Sequence, residues 1–262
     1  MKQSTQLKLV VWAVVFGIIG ISIGMCFGVR KLGGSNGDKL AIGFAIFLLL
    51  FMIIGSGCFC NYAKKEIYKV QNPRLHNKLY DLMKYFDNIC TKHHIKYWAI
   101  GGTLLGSIRH KAIIPNDDDI DLGITHESFT ILKNIVDKDS KYKIIGKDGF
   151  YKFGRIDDQT NDEHKFNSWI DIMIMKEAND DKYQYTSNFC KTMWPTEWFY
   201  SRELFPLKRY KFGKIKIFGA KNPKSYLVRV YGNDWKTPRI THAHRPNFYE
   251  TLSIFYTNLG LL

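Results

Sequence analysis

The amino-acid sequence predicts an α+β domain with a mixed sheet and flanking helices, preceded by a two-helix transmembrane hairpin. Two long uncharged apolar runs near the N-terminus predict the hairpin. Beyond residue 72, strand and helix patterns follow one another without a regular βαβ order, which favours a mixed sheet. In this part of the chain four aspartates fall within five positions, shortly after a Gly-Gly pair. These residues are therefore the first candidates for a functional site.

The composition excludes several classes of protein. The chain has 262 residues, of which 45% are hydrophobic and 24% charged, so it is neither disordered nor collagen-like. This length allows one catalytic domain and a smaller additional segment. The five cysteines are odd in number and include no CxxC pair, so we predict neither a disulfide framework nor a zinc site.

The apolar runs occupy residues 9–29 and 40–60, and neither contains a charged residue. Each would span about 30 Å as a helix, the thickness of a hydrocarbon core. We therefore assign residues 1–65 to a membrane hairpin, residues 72–250 to the catalytic domain and residues 251–262 to a C-terminal tail. Lysines and arginines outside the hairpin turn outnumber those within it, which favours a cytoplasmic catalytic domain. Arg30 and Lys31, between the spans, argue the other way.

The globular part begins with a helix, because Asn72-Pro73 can cap one and apolar residues recur at helical spacing from Leu75 to Cys90. The later patterns predict a buried strand at 97–100, a helix at 103–109 with Thr103 as N-cap, a half-buried strand at 119–124, a helix at 125–136, strands at 142–145, 150–156 and 169–175, a hairpin at 208–218 around Gly213, and a helix at 223–231 capped by Asn222.

The aspartates lead into an alternating acid–apolar strand, which a solvated acidic loop would not need. Residues two apart share a face of a strand, so Asp117, Asp119 and Asp121 are expected to converge while Asp118 points away. Converging carboxylates repel unless a proton or cation intervenes, and hard oxygen ligands suit Mg²⁺ or Mn²⁺. The pattern predicts a metal site.

Two further features support that site. Asp171 interrupts the apolar run 169–175, and it would complete a three-carboxylate group if its strand lay beside Asp121. Gly101-Gly102 stands before a predicted helix, where unpaired backbone N–H groups can bind a phosphate. The order of Gly-Gly, acid–apolar–acid strand and single strand acid resembles the nucleotidyltransferase superfamily pattern.

Residues 97–122, YWAIGGTLLGSIRHKAIIPNDDDIDL, resemble more closely the signature of the LicD family. That family includes phosphocholine transferases of bacterial glycans and fukutin-type ribitol-phosphate transferases. Asn116 stands where the family usually has Trp, a departure that leaves the carboxylates in place. The resemblance extends over about Leu75–Pro238 and does not include the membrane hairpin.

The resemblance implies transfer of a phospho-alcohol from a CDP-linked donor to the hydroxyl of a glycan or glycolipid. Asp119 and Asp121 would hold Mg²⁺ (or Mn²⁺), with Asp117 as a further ligand and Asp171 as either ligand or base. The remaining candidates would bind the donor: Gly101, Gly102 and Thr103 at the turn, Arg109 one helix later, and Arg155 on a strand between the acidic segments.

The partners inferred from charge are less specific. The chain carries 38 Lys and Arg against 24 Asp and Glu, and the segment 208–245 is strongly basic. On a membrane-anchored protein such a segment faces anionic headgroups or a polyanionic substrate, and a nucleic-acid partner is not favoured. Two alternatives stay open at this point: a DxD-type metal-dependent glycosyltransferase, and a non-catalytic membrane protein that retains the fold.

Overall fold

The computed structural model describes residues 24, 27–31, 34–48, 50, 72–162, 166–178 and 180–238. The chain divides into two compact units, Met1–Glu66 with Leu262 and Ile67–Leu261. In the first unit, residues 37–48 are helical and follow a 3-10 turn at Gly34–Asn36. Within the described residues, no helix combines the length and the apolar character needed to cross a membrane. The predicted spans lie largely outside the described residues and stay a prediction.

The second unit is the α+β domain with a mixed sheet that the sequence predicts. Its elements in chain order are α1 (Pro73–Lys92), β1 (Tyr97–Ala99), α2 (Gly101–Arg109), β2 (Ile120–Ile124), α3 (His126–Val136), β3 (Tyr142–Lys147), β4 (Phe150–Arg155), β5 (Ile170–Ala178), β6 (Lys182–Tyr185), α4 (Asn188–Met193), β7 (Phe199–Tyr200), α5 (Ser201–Leu204), β8 (Lys208–Phe212), β9 (Ile215–Gly219) and α6 (Lys224–Tyr231). Every predicted element of this unit is present. The run from β6 to α5 was not predicted.

Helix α1 begins where the sequence places its cap. The Asn72 side chain accepts a hydrogen bond from the backbone N–H of Leu75 at 3.1 Å, and Pro73 occupies the first turn. The predicted apolar stripe faces the core, with Leu79, Leu82, Met83, Phe86 and Cys90 buried. Cys90 and Cys190 are buried free thiols.

The main sheet has the strand order β1-β2-β5-β4-β3, and β6 and β7 extend it from β5. Strands β2 and β5 are parallel, whereas the other pairs are antiparallel. The β2–β5 register places Asp121 directly opposite Asp171, and the β4–β5 register places Lys152 on the other side of Asp171. One row across three strands therefore carries two acids and one lysine.

An ion pair with a buried carboxylate joins the separate β8–β9 hairpin to α1. Arg209 donates from Nη1 and Nη2 to the two carboxylate oxygens of Asp87, at 2.6 and 2.7 Å. Asp87 is only 8% exposed, so its charge depends on this bidentate partner. The pair also holds the hairpin beside β1, because the Tyr97 hydroxyl donates to the same carboxylate.

We expect Arg209→Ala to lower the free energy of unfolding by about 2 kcal/mol, because it leaves a buried carboxylate without its cation. The partial exposure of Arg209 keeps this figure below the cost of breaking a fully buried pair. Urea unfolding of the second unit followed by tryptophan fluorescence measures the change. Lys211→Ala, an exposed lysine on the same strand, is the control and should change stability by less than about 0.5 kcal/mol. Equal effects of the two substitutions would contradict this role of the pair.

Candidate active site

The glycine turn lies directly against the carboxylates. Helix α2 begins at Gly101, whose φ of +50° is a conformation that favours glycine. A Cβ placed on Gly101 would lie 3.1 Å from Asp121 Oδ2, and one placed on Gly102 would lie 2.6 Å from Asp117 Oδ2. The pair of glycines therefore lets two carboxylates approach the backbone at the start of the helix.

Two expectations for this turn were wrong. The backbone N–H of Gly101 is not available to a phosphate, since it donates to the Tyr226 hydroxyl at 2.8 Å. Thr103 is not the N-cap, because the helix begins two residues earlier with Ile100 at the cap position. The Thr103 hydroxyl instead accepts a hydrogen bond from the backbone N–H of Asp121 at 2.8 Å, and so fixes the start of β2 against α2.

The acidic residues form two overlapping groups. Asp119, Asp121 and Asp171 each offer a carboxylate oxygen, and these oxygens lie within 4.8 Å of one another. Asp117, Asp118 and Asp119 form a second group of the same size. The expectation that Asp118 points away was wrong, because β2 begins only at Ile120 and the alternation of a strand does not apply to the loop before it.

Asp171 forms an ion pair with Lys152. The Nζ of Lys152 lies 2.9 Å from Asp171 Oδ1 and packs over the ring of Trp169, 4.1 Å from its centroid. Lys152 was not a candidate in the sequence. The sequence indicates only that Lys152 lies on a strand. That it lies opposite Asp171 depends on how β4 and β5 pair, which the sequence does not show.

Burial raises the pKa of these acids. The pKa of Asp117 rises to about 8, with the charges of Asp119 and Asp118 adding to the effect of burial. Burial and the neighbouring charges of Asp119 and Asp171 raise the pKa of Asp121 well above its usual range. The pKa of Asp171 is also raised by burial, although Lys152 opposes that rise. The acids thus need protons or a cation to coexist.

The groups open into a cavity of about 640 Å³, the size of a small-molecule site. Gly101, Gly102 and Arg109 line it together with the five aspartates of the two acidic groups. Arg109 Nη1 donates to the carbonyl oxygen of Trp235 at 3.0 Å, which fixes the guanidinium at the cavity wall. Trp194 and Trp235 form part of the apolar lining.

The structure does not bring Arg155 to this cavity. Its guanidinium donates to Asp157 at 2.8 and 2.5 Å and is half exposed. Its strand, β4, lies on the far side of β5 from Asp121, and Arg155 is at the end of that strand. A donor-binding role for Arg155 therefore has no support from its position.

Besides the exposed Asp234, sequence reasoning missed a half-buried acidic residue of the cavity wall, Glu197. Its side chain accepts hydrogen bonds from the hydroxyls of Tyr185 and Tyr226. The available signal was a lone acid in an aromatic segment, WPTEWFY, where a carboxylate is expected to be buried and hydrogen-bonded. The sequence predicted no helix or strand between β6 and α5, so the position of Glu197 in the fold could not be predicted.

The comparison with protein families bears on this arrangement. Residues 94–222 match the family model described as LicD/FKTN/FKRP, nucleotidyltransferase domain. That range contains the glycine turn, both acidic groups, Lys152 and Glu197. Residues 94–222 are a LicD-family domain. The resemblance found in residues 97–122 is therefore confirmed.

The LicD domain also has curated relatives. An uncharacterized protein of Rickettsia prowazekii is 39% identical over 158 residues, which cover 58% of this chain and 53% of the relative. One of Rickettsia typhi is 37% identical over 155 residues, 58% of this chain and 45% of the relative. The lipopolysaccharide cholinephosphotransferase LicD of Haemophilus influenzae is 43% identical over 49 residues, 19% of this chain and 18% of that protein. The chain thus spans about half the length of the two Rickettsia proteins.

Asp117 yields a test of the electrostatics. Without divalent cations, native Asp117 keeps its proton up to about pH 8, whereas the unfolded chain releases it near pH 4. Unfolding then releases a proton in this window, so we expect stability to fall as pH rises from about 5 to 8. Asp117→Asn should make that fall smaller. Thermal unfolding in EDTA across this pH range measures it.

The matched control is Asp148→Asn, which removes an exposed carboxylate from the β3–β4 turn and should leave the pH dependence as in the unchanged protein. Identical pH dependences for Asp117→Asn and the unchanged protein would contradict the raised pKa of Asp117.

Proposed function

We propose that this protein is a membrane-anchored, divalent-metal-dependent transferase. It would move a phospho-alcohol group, such as phosphocholine or ribitol phosphate, from a CDP-linked donor to a hydroxyl of a glycan or glycolipid. The observation that carries the proposal is the convergence of Asp119, Asp121 and Asp171 at a glycine turn within a LicD domain. The name of the Haemophilus relative makes CDP-choline the first donor to test.

The donor set supports a metal ion of the magnesium type. All of the candidate ligating atoms are carboxylate oxygens, which Mg²⁺ and Mn²⁺ prefer. The pKa values of Asp117 and Asp121 are raised by burial and, in addition, by the negative charge of their neighbours. Asp119, Asp121 and Asp171 would hold the ion, with Asp117 as a further ligand. The bound ion would neutralise phosphate charge and help to position the phosphates.

The chain's own side chains would orient the donor. Arg109 lines the cavity wall, where the positive charge of its guanidinium would attract a donor phosphate. Trp194 and Trp235 offer apolar surface for the nucleotide or the alcohol moiety. Lys152 holds Asp171 in place from the opposite strand and keeps its carboxylate directed along the row shared with Asp121.

The two alternatives have less support. A DxD-type glycosyltransferase requires parallel strands before its acidic motif, whereas β1 here is antiparallel to β2 and separated from it by the glycine turn and α2. A non-catalytic protein would have no need to retain several buried, mutually repelling carboxylates, since such groups destabilise a fold.

Asp119→Asn and Asp121→Asn should each reduce CMP release from a CDP-alcohol by at least about a thousandfold, because each removes charge from the group that would bind the metal. The assay incubates the purified full chain with Mg²⁺, candidate sugars and a panel of CDP-choline, CDP-ribitol and CDP-glycerol. EDTA should abolish release and excess Mg²⁺ should restore it.

Asp148→Asn serves as the control and should retain full activity. Circular dichroism establishes that each variant is folded. Turnover by Asp119→Asn or Asp121→Asn at the level of the control would exclude the proposed metal site.

Membrane anchoring is supported by the hydropathy of residues 9–29 and 40–60 and by their lengths. We expect the full chain to sediment with membranes and to resist extraction by alkaline carbonate. Deletion of residues 1–65 should release the protein into the supernatant. A full chain that carbonate extracts as readily as the truncated one would disprove the hairpin.

A further inference from the structure

Glu197 occupies a distinctive place in the cavity wall. It lies between α4 and β7, and its Oε2 accepts hydrogen bonds from the hydroxyls of Tyr185, at 2.6 Å, and Tyr226, at 2.9 Å. Both tyrosines are buried, at 2% and 0% exposure. The other oxygen, Oε1, accepts no hydrogen bond from any described residue. One oxygen is thus held by two hydrogen bonds, and Glu197 lines the cavity.

Two hydrogen bonds connect Glu197 to the glycine turn that lies against the acidic groups. The Tyr226 hydroxyl that donates to Glu197 also accepts from the backbone N–H of Gly101 at 2.8 Å. Gly101 in turn lies against Asp121, whose Oδ2 would be 3.1 Å from a Cβ at that position. The stacking of Tyr226 on Phe199, with ring centroids 4.1 Å apart, holds the hydroxyl in place. Tyr226 therefore links Glu197 to the same glycine turn that supports Asp121.

Glu197 nevertheless stands apart from those carboxylates. It belongs to neither of the two groups whose oxygens lie within 4.8 Å of one another. Asp234 also lines the cavity outside those groups, but it is exposed. Among the described residues, Glu197 is thus the cavity carboxylate that is sheltered from solvent without being a member of a ligand group.

We propose that Glu197 is the general base of the transfer reaction, an inference that rests on the function proposed above. Its Oε1 accepts the proton of the acceptor hydroxyl while the hydroxyl oxygen forms a bond to the phosphorus next to the alcohol. The bond from that phosphorus to the bridging oxygen breaks, and CMP leaves with the electron pair. The carboxyl of Glu197 then returns its proton to solvent. Asp171, open as ligand or base in the sequence, is assigned to the metal group.

The surroundings of Glu197 suit this role. Burial raises the pKa of Glu197, and the hydrogen bonds from the two tyrosines limit that rise. A base whose pKa lies closer to neutrality is more effective at physiological pH. The ionisable groups that face it from the neighbouring elements are Asp121 on β2, Tyr185 on β6, Cys190 on α4, and Tyr226 and Tyr231 on α6.

The experiment uses the full chain with Mg²⁺, CDP-choline or another CDP-alcohol of the panel, and candidate sugars. Glu197→Gln keeps the size of the side chain and an oxygen for the tyrosine hydroxyls. We expect it to lower kcat by about 100- to 1,000-fold, to leave KM for the donor within about twofold, and to remove the acidic limb of the kcat–pH profile. Glu203→Gln is the matched control, since Glu203 accepts from Ser225 and does not line the cavity.

A second variant tests the same proposal through the pH profile. Tyr185→Phe removes a hydrogen bond that favours the ionised form of Glu197, so the pKa of Glu197 should rise. The acidic limb of the kcat–pH profile should then move to higher pH. A merely structural role of Glu197 would not produce this shift, and Tyr185→Phe keeps the proposal testable if Glu197→Gln does not fold.

The outcomes separate the two proposals. Suppose first that the unchanged protein releases CMP. The role of Glu197 alone is then overturned if Glu197→Gln leaves kcat unaltered or changes only KM. It is also overturned if Tyr185→Phe does not move the acidic limb of the kcat–pH profile. If the unchanged protein releases no CMP from any CDP-alcohol of the panel, the transferase function falls, and the base role falls with it.

Discussion

Repulsion between Asp121 and Asp171 is the constraint around which this domain is arranged. The two residues lie directly opposite each other on parallel neighbouring strands, in a buried row of the sheet. Like charges at such positions destabilise a sheet, and burial increases the cost. The ion pair between Asp171 and Lys152 on the next strand reduces this repulsion, and so does the raised pKa of each acid, which favours its neutral form. A bound cation would reduce the repulsion further.

The backbone around the acids is shaped by the same constraint. Glycines at 101 and 102 remove the Cβ atoms that would collide with the carboxylates of Asp121 and Asp117. Thr103 fixes the backbone of Asp121 from the first turn of α2, and Tyr226 uses the first N–H of that helix. The turn is therefore specialised for supporting acids. It leaves fewer backbone donors for a phosphate than a glycine turn of this kind suggests.

Much of this site follows from sequence because the relevant interactions are local. Period-two spacing gives Ile120–Ile124 as a strand, and a single acid within the apolar run around Asp171 marks a second one. Contacts that depend on how the strands pair could not be predicted from the sequence. Lys152 lies opposite Asp171 only because β4 pairs with β5 in this register. The side-chain direction of Asp118 depends on the residue at which β2 begins, and strand ends are set by tertiary contacts. Glu197 was missed because its partners are about 12 and 29 positions away along the chain.

The central claim is that the carboxylates of Asp119, Asp121 and Asp171 gather around one divalent cation. Anomalous diffraction from crystals of the protein soaked in Mn²⁺ measures this directly, without reference to any substrate. We predict a manganese peak in contact with oxygens of all three residues, absent in crystals of Asp121→Asn. A peak bound elsewhere, or three side chains that stay clear of any ion at saturating Mn²⁺, would contradict the account.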